Sequence, residues 1–79
     1  MKLTEGQKAA FADDIRKAFE RKEHLEDREQ SEITDRVITG LRMRIDTYIR
    51  VLSILGYGYN LERNSDGYTV AVTIVPIND

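Results

Sequence analysis

Hydrophobic side chains recur every three or four positions through the first two thirds of the chain, which is the period of an α-helix. In residues 4–24 the repeat is narrow, and Phe11 and Phe19 lie on one side of an otherwise charged helix. Thr4 stands three residues before Gln7, the spacing at which two side chains cap free N–H groups at a helix start. We therefore predict a first helix over residues 4–24.

The second stretch, residues 32–55, carries the clearest repeat of the chain. Its apolar positions follow one another at intervals of three and four, as along the contact face of packed helices. Val37, Ile49 and Val51 widen the apolar sector to an arc of about 160°. One neighbouring element does not cover so wide an arc, so we expect this helix to be the centre of the fold and to leave a surface for a second subunit. The repeat consists of Ile38, Leu41, Ile45, Tyr48, Leu52 and Leu55.

Residues 23–32, between these stretches, hold a single aliphatic side chain, Leu25. Ser31 offers an N-cap for a second helix, which favours a helix-turn-helix. Because the segment contains no glycine or proline, the alternative is one continuous helix from Thr4 to Leu55, about 78 Å long. Such a rod has no partner for its apolar side within one chain, so we favour the turn.

Two strands are predicted after the second helix. Residues 57–63 and 68–75 alternate apolar and polar side chains, the pattern of strands with one buried face. Gly56 stands where a positive φ commonly ends a helix, and the sequence NSDG predicts a tight turn between the strands. Pairing Leu61 with Val70 places the large residues of both strands on one face.

The predicted fold is therefore α+β: one domain, residues 1–79, with two helices followed by a two-stranded antiparallel β-hairpin. A hairpin alone leaves both strand edges unpaired, and a chain of 79 residues builds only a thin core. We expect dimerisation to complete this fold, with the strand over residues 68–75 pairing between subunits.

Composition narrows the possible functions. The chain has no cysteine and one histidine, which argues against disulfides and a zinc cluster. A net charge of −2 disfavours a strongly electrostatic nucleic-acid binder. No apolar run approaches the ~20 residues of a membrane span, and no signal-peptide pattern opens the chain. We expect a cytoplasmic protein that binds neither membrane, metal nor cofactor.

Glycines and tyrosines cluster between residues 55 and 70, a stretch with three of each. A phosphate-binding loop leads from a strand into a helix, and the order here is reversed, so the glycines predict turns. The tyrosines are expected to converge near the end of the second helix, either as a stacking platform for a base or, as we favour, as core side chains with hydroxyls at the edge. They are Tyr48, Tyr57, Tyr59 and Tyr68.

Three residues of the second helix are further candidates for a site or an interface. Arg44 falls inside the apolar arc by helical phase, where it needs an ionic partner, a ligand or a route to water. Arg42 borders the other side of the arc. Gly40 lies in the helix interior, where it either permits a close crossing by another backbone or is merely tolerated.

Catalysis is not expected. His24 lies in a charged segment without a cleft or an orienting partner, and the adjacent Asp13 and Asp14 point about 100° apart on a helix. The first interpretation is a noncatalytic interaction module that forms a small homo-oligomer and binds another macromolecule. Two alternatives are a nucleic-acid or nucleotide regulator that uses arginines of the second helix, and a small inhibitor, carried by a phage or other mobile element, that masks a host protein.

Overall fold

The computed structural model describes residues 2–28 and 30–77. Two helices are followed by a two-stranded antiparallel sheet, which confirms the predicted α+β fold. Each observed boundary lies within two residues of the predicted one. The elements are α1 over Glu5–Glu26, α2 over Glu32–Ile54, β1 over Tyr57–Arg63 and β2 over Thr69–Pro76.

The helix ends follow local chemistry that the sequence predicted. The Thr4 hydroxyl accepts a hydrogen bond from the Gln7 N–H at 3.1 Å, and the Gln7 side chain accepts one from the Thr4 N–H at 2.9 Å. Ser31 caps α2 by accepting from the Thr34 N–H at 3.1 Å. Gly56 follows α2 with a φ of 91°, a conformation that glycine adopts at low cost. These contacts satisfy N–H groups that a helix leaves without partners.

α1 and α2 form a helical hairpin, so the continuous-rod alternative is wrong. Ala18 of α1 packs with Leu41 and Ile45 of α2 in one buried cluster. At the connection, Glu26 accepts a hydrogen bond from Arg42 at 3.0 Å. The pairing of the two apolar sides explains why the chain turns back here, because the rod would leave both sides in water.

α1, rather than α2, lies at the centre of the fold. It contacts both α2 and β2, whereas α2 meets the hairpin less extensively, at β1. Ile15 of α1 is fully buried in a cluster that also contains Leu52 of α2 and Ile74 of β2. The prediction of a central second helix is wrong because α1 uses its narrow apolar side to contact two elements at once.

The wide apolar arc predicted for α2 is covered within the single chain. Of its nine members, only Val51 is exposed, so the width of the arc gives no support for a second subunit. The buried members are Ile38, Leu41, Ile45 and Leu52, and the half-buried members are Val37, Tyr48, Ile49 and Leu55.

The hairpin pairs two residues away from the predicted register. Leu61 lies opposite Val72, not Val70, and Tyr59 lies opposite Ile74. A loop of three residues accounts for one residue of this shift, because pairing Leu61 with Val70 implies a loop of two. A β-bulge in β2 accounts for the other.

Val70 is the extra residue of the bulge. Ala71 lies opposite Glu62 and Thr69 lies opposite Arg63, which leaves Val70 outside the regular pairing. Thr69 is consequently 1% exposed and Val70 is 50% exposed. The predicted alternation, which placed Val70 in the core, is wrong at the start of β2 and is regained farther along the strand.

The turn itself has the predicted chemistry. The Asn64 side chain accepts hydrogen bonds from the backbone N–H groups of Asp66 and Tyr68, each at 3.0 Å. Gly67 has a φ of 86°, which side chains rarely adopt. Asparagine and glycine therefore shape the backbone here, as expected.

Candidate functional site

Large apolar side chains remain exposed along one side of α2. Ile33 is 75% exposed, Met43 65%, Val51 39% and Ile54 79%. At 100° per residue these four positions fall within a sector of about 80°, centred roughly 150° from the buried positions of the same helix. We call this set the α2 row. The exposed arginine Arg36 falls in the same sector between Ile33 and Met43, so the apolar side chains are spaced along the row and not continuous. Several exposed apolar side chains on one side of a helix are nevertheless typical of a binding surface, whereas single ones are ordinary.

The middle of the α2 row is occupied by small residues. Gly40 is exposed, and a Cβ added there would meet no atom of the described chain within 4 Å. Thr47 is also exposed, and its hydroxyl donates to the Met43 carbonyl at 2.9 Å. No close backbone crossing within residues 2–28 and 30–77 therefore explains Gly40. If Gly40 permits a close backbone crossing, the crossing backbone must belong to another molecule; otherwise the glycine is merely tolerated.

Sequence reasoning missed the α2 row as a separate surface. Ile33, Met43 and Ile54 lie outside the predicted arc, although the sequence gives their helical phase. Helical phase gives the angle between side chains but not which sector the rest of the chain covers. That sector was decided by α1 and β1, which cover the buried face only.

A second surface feature is a groove between α1 and α2. Two adjoining depressions, of about 260 Å³ and about 180 Å³, share Asp14 and Tyr48. Both depressions are shallow and open to solvent. We call them together the α1/α2 groove; one end is lined by Gln7, Ala10 and Phe11, and the other by Lys17, Ala18, Arg21, Leu41 and Arg44.

Tyr48 stands in the middle of this groove. Its hydroxyl donates to an Asp14 carboxylate oxygen at 3.2 Å, and its ring meets Phe11 edge-on with centroids 6.0 Å apart. Partial burial and the neighbouring Asp14 carboxylate raise the pKa of the Tyr48 phenol, and the positive charge of Arg44 opposes that rise. Tyr48 is therefore a protonated hydrogen-bond donor near neutral pH, not a base.

Arg44 is exposed, so its guanidinium reaches water, which is one of the three possibilities that its helical phase indicated. It does not make the predicted type of ion pair with the first helix. Arg42 makes it instead, donating to Glu26 of α1 at 3.0 Å. Arg42 therefore joins the two helices, and Arg44 lines the groove and is exposed to solvent.

The four tyrosines do not form one platform. Tyr57 is buried, and its hydroxyl accepts from the Leu3 N–H at 3.1 Å. Tyr59 lies against Phe19, with ring centroids 6.3 Å apart. Together with Tyr48 they border one core cluster, whereas Tyr68 lies away from it. The favoured interpretation as core side chains describes three of them, and the predicted convergence of all four is wrong.

Tyr68 belongs to a polar cluster where the hairpin turn meets the end of α1. Its ring stacks on His24 with centroids 4.2 Å apart, and its hydroxyl donates to Asp27. That hydrogen bond is the largest cause of a raised pKa of the Tyr68 phenol, followed by burial. Glu23 is held close by through hydrogen bonds from Thr69. These contacts connect the hairpin to α1.

No metal centre or membrane span is present in the described part of the chain. Residues 2–28 and 30–77 contain no group of three metal-ligating side chains, and none of their helices is long and apolar enough to cross a membrane. Ile38, Leu41, Ile45 and Leu52 are buried in the chain, so they serve helix packing within it.

Comparison of the chain with protein-family models, curated proteins and solved structures gives no match.

Proposed function

We propose that this protein is a noncatalytic interaction module that works as a homodimer joined through the α2 row. The observation that carries the proposal is the exposure of Ile33, Met43, Val51 and Ile54 on one side of one helix. Removing apolar surface from water stabilises an association by about 25 cal/mol per Å². An exposed row of this kind is therefore a favourable contact surface for a partner with a matching apolar side.

The arrangement of the α2 row favours a second copy as the partner. Gly40 lies seven residues after Ile33, and Thr47 lies seven residues before Ile54. An antiparallel, two-fold pairing of α2 helices then sets Ile33 of each copy against Ile54 of the other, and Gly40 against Thr47 on either side of a crossing between positions 43 and 44. Small residues at a crossing let two backbones approach closely, and a two-fold interface uses the same patch of both subunits.

The size of the α2 row limits the strength of this dimer. From Ile33 to Ile54 the row is about 32 Å long, and a helix face of about 10 Å width gives roughly 300 Å² per subunit. A stable protein interface buries about 800 Å² per partner. We therefore propose a dimer with a Kd in the micromolar range or weaker.

Light scattering during size-exclusion chromatography, over protein concentrations from about 1 µM to about 1 mM, tests the homodimer. The natural chain is expected to approach the mass of two chains as its concentration rises, and Ile54→Lys is expected to stay a monomer. Val70→Lys is the matched control, because Val70 is a half-exposed valine on the hairpin, outside the α2 row. A natural chain that remains monomeric throughout refutes the homodimer.

The two alternative functions have less support. Arg36 and Arg42 are engaged in ion pairs with Glu32 and Glu26, which reduces the exposed cationic row that a nucleic-acid regulator needs. An inhibitor that masks a host protein with the acidic segment 23–32 needs free carboxylates there, yet several of these carboxylates accept hydrogen bonds within the chain. The cytoplasmic location expected from the sequence remains part of the proposal.

A further inference from the structure

We infer that the α1/α2 groove is a second binding surface and that its ligand is an acidic amphipathic helix of a partner protein. The groove shares no residue with the α2 row, so this inference does not depend on self-association. It depends on three properties of the groove: its length, its apolar end and its cationic end.

The length of the groove matches a helix. On α1 it runs from Gln7 to Arg21, about 21 Å at 1.5 Å per residue, which corresponds to four helical turns. Two packed helices leave a furrow along their line of contact, and a third helix fills such a furrow by setting its side chains between theirs. A small anion would use only one end of a groove this long.

The apolar end supplies the anchoring contacts. Ala10 is exposed, Phe11 and Tyr48 are half-buried, and the two rings meet at an interplanar angle of 89°. The exposed edges of these two rings form a shallow apolar surface beside Ala10. Helices that dock in grooves present apolar anchors at intervals of three and four residues. Two such anchors, one turn apart, fit over Phe11 and Tyr48.

The cationic end sets the charge of the ligand. Lys17, Arg21 and Arg44 line it against a single carboxylate, Asp14. Lys17 pairs with Asp13 at 2.8 Å. Within residues 2–28 and 30–77, however, no carboxylate lies within 4 Å of the Arg21 or Arg44 guanidinium.

Carboxylates of a partner would complete this end of the groove. Beneath the cations, Ala18 and Leu41 are buried and apolar, whereas Arg21 and Arg44 are exposed and accessible to a ligand. A carboxylate placed between them forms charge-assisted hydrogen bonds with both. From Phe11 to Arg21 the distance along α1 is about 15 Å, so the acidic residues should lie two to three turns from the apolar anchors.

The experiment uses two synthetic peptides and fluorescence anisotropy. Each peptide has about 18 residues, long enough for the groove, with leucines on one face. In one peptide, glutamates lie three helical turns from the first two leucines. In the other peptide, lysines occupy the same positions. At about 0.15 M salt the glutamate peptide is expected to bind the natural protein at least about tenfold more tightly than the lysine peptide.

Variants assign the binding to the groove. Arg44→Glu is expected to weaken the glutamate peptide at least about tenfold and to strengthen the lysine peptide. Arg28→Glu is the matched control, because Arg28 is exposed, lies outside the groove, and should change neither affinity. The inference is overturned if both peptides bind equally, if the glutamate peptide fails to bind at about 1 mM, or if Arg44→Glu has no effect.

Two further measurements separate this inference from the other proposals. Ile54→Lys, which disrupts the α2 row, is expected to leave peptide affinity unchanged. A natural chain that stays monomeric yet binds the glutamate peptide refutes only the homodimer, and a natural chain that dimerises without binding the peptide refutes only the groove. A single-stranded oligonucleotide is titrated in parallel: binding that depends on Arg44, without binding of the glutamate peptide, assigns the groove to nucleic acid and overturns the inference.

Discussion

The carboxylate of Glu23 on α1 accepts two hydrogen bonds from Thr69 on β2, one from the backbone N–H and one from the hydroxyl, both at 2.7 Å. Thr69 is 1% exposed, so neither group has water as an alternative partner. Arg63, on the neighbouring strand, lies 3.7 Å from the same carboxylate. This contact holds Thr69 toward α1 at the point where the β-bulge leaves Val70 on the outside.

Glu23→Ala is expected to lower the free energy of unfolding by about 2–3 kcal/mol, because it leaves two buried donors of Thr69 unsatisfied. Urea denaturation followed by circular dichroism measures this difference. Glu20→Ala is the matched control: Glu20 pairs with Arg16 on the surface of the same helix, and its loss should cost under about 1 kcal/mol. An equal decrease in the free energy of unfolding for both variants would show that the hydrogen bonds to Thr69 stabilise the fold no more than the surface ion pair does.

The bulge predicts opposite outcomes for two apolar residues of β2. Ile74→Ala should cost about 2–4 kcal/mol, since Ile74 is 7% exposed in the core. Val70→Ala should cost under about 0.5 kcal/mol, because Val70 is half exposed. Thermal melts of the two variants provide the comparison. In the unbulged register both residues belong to the core, so a large loss for Val70→Ala would contradict the bulge.

Gly40→Ala is expected to stabilise the monomer by about 1 kcal/mol, because alanine favours a helix interior and the added methyl group meets open space. The melting temperature at low micromolar concentration measures this. Gly56→Ala is the contrasting variant and should destabilise, because the φ of 91° at Gly56 strains any side chain. Destabilisation by Gly40→Ala would instead indicate that another molecule crosses closely there.

The ion pairs of Glu26 predict a pH dependence of stability. Hydrogen bonding to Lys22, opposed by burial and assisted by Arg42, lowers the pKa of the Glu26 carboxyl below its ordinary value of 4.5. A carboxyl with a lowered folded-state pKa stabilises the fold above its unfolded pKa, and this stability is lost as the pH falls through the folded value. Glu26→Gln should therefore be less stable than the natural chain at pH 7, by under about 1 kcal/mol.

Urea titrations at about pH 7 and about pH 3 check this prediction. The difference between Glu26→Gln and the natural chain should shrink as the pH falls through the lowered folded-state pKa of Glu26, because below it Glu26 is protonated in both folded and unfolded chains. Other carboxyls titrate in the same range, and their contribution is common to both proteins. A difference that stays constant between the two pH values would assign the effect of the substitution to packing rather than charge.

Features set by a few neighbouring residues were predictable from the sequence. The Thr4–Gln7 capping box, the cap at Ser31 and the positive φ values of Gly56 and Gly67 all occur where expected. Each depends on a hydrogen bond or a dihedral preference that acts over a few residues, so distant parts of the chain do not alter it. The order and type of the helices and strands follow from the same local rules together with the apolar period.

The candidate surfaces were predicted only in part. Arg44 and Tyr48 were singled out and do line the α1/α2 groove, but Arg21, Phe11 and the members of the α2 row other than Val51 were not identified. A groove needs two helices at a given crossing, and an exposed row needs knowledge of which sectors are covered. Neither quantity is encoded in the spacing along one helix.

By itself the sequence determined the two helices, the hairpin and their ends, because periodicity and capping depend on residues close together in the chain. Only the tertiary structure decided that α1 is central, that Val70 bulges outward, that Arg42 rather than Arg44 pairs with α1, and that one apolar side of α2 remains in water. Burial and pairing are set by which distant elements compete for the same surface, and that competition is resolved only when the whole chain packs together.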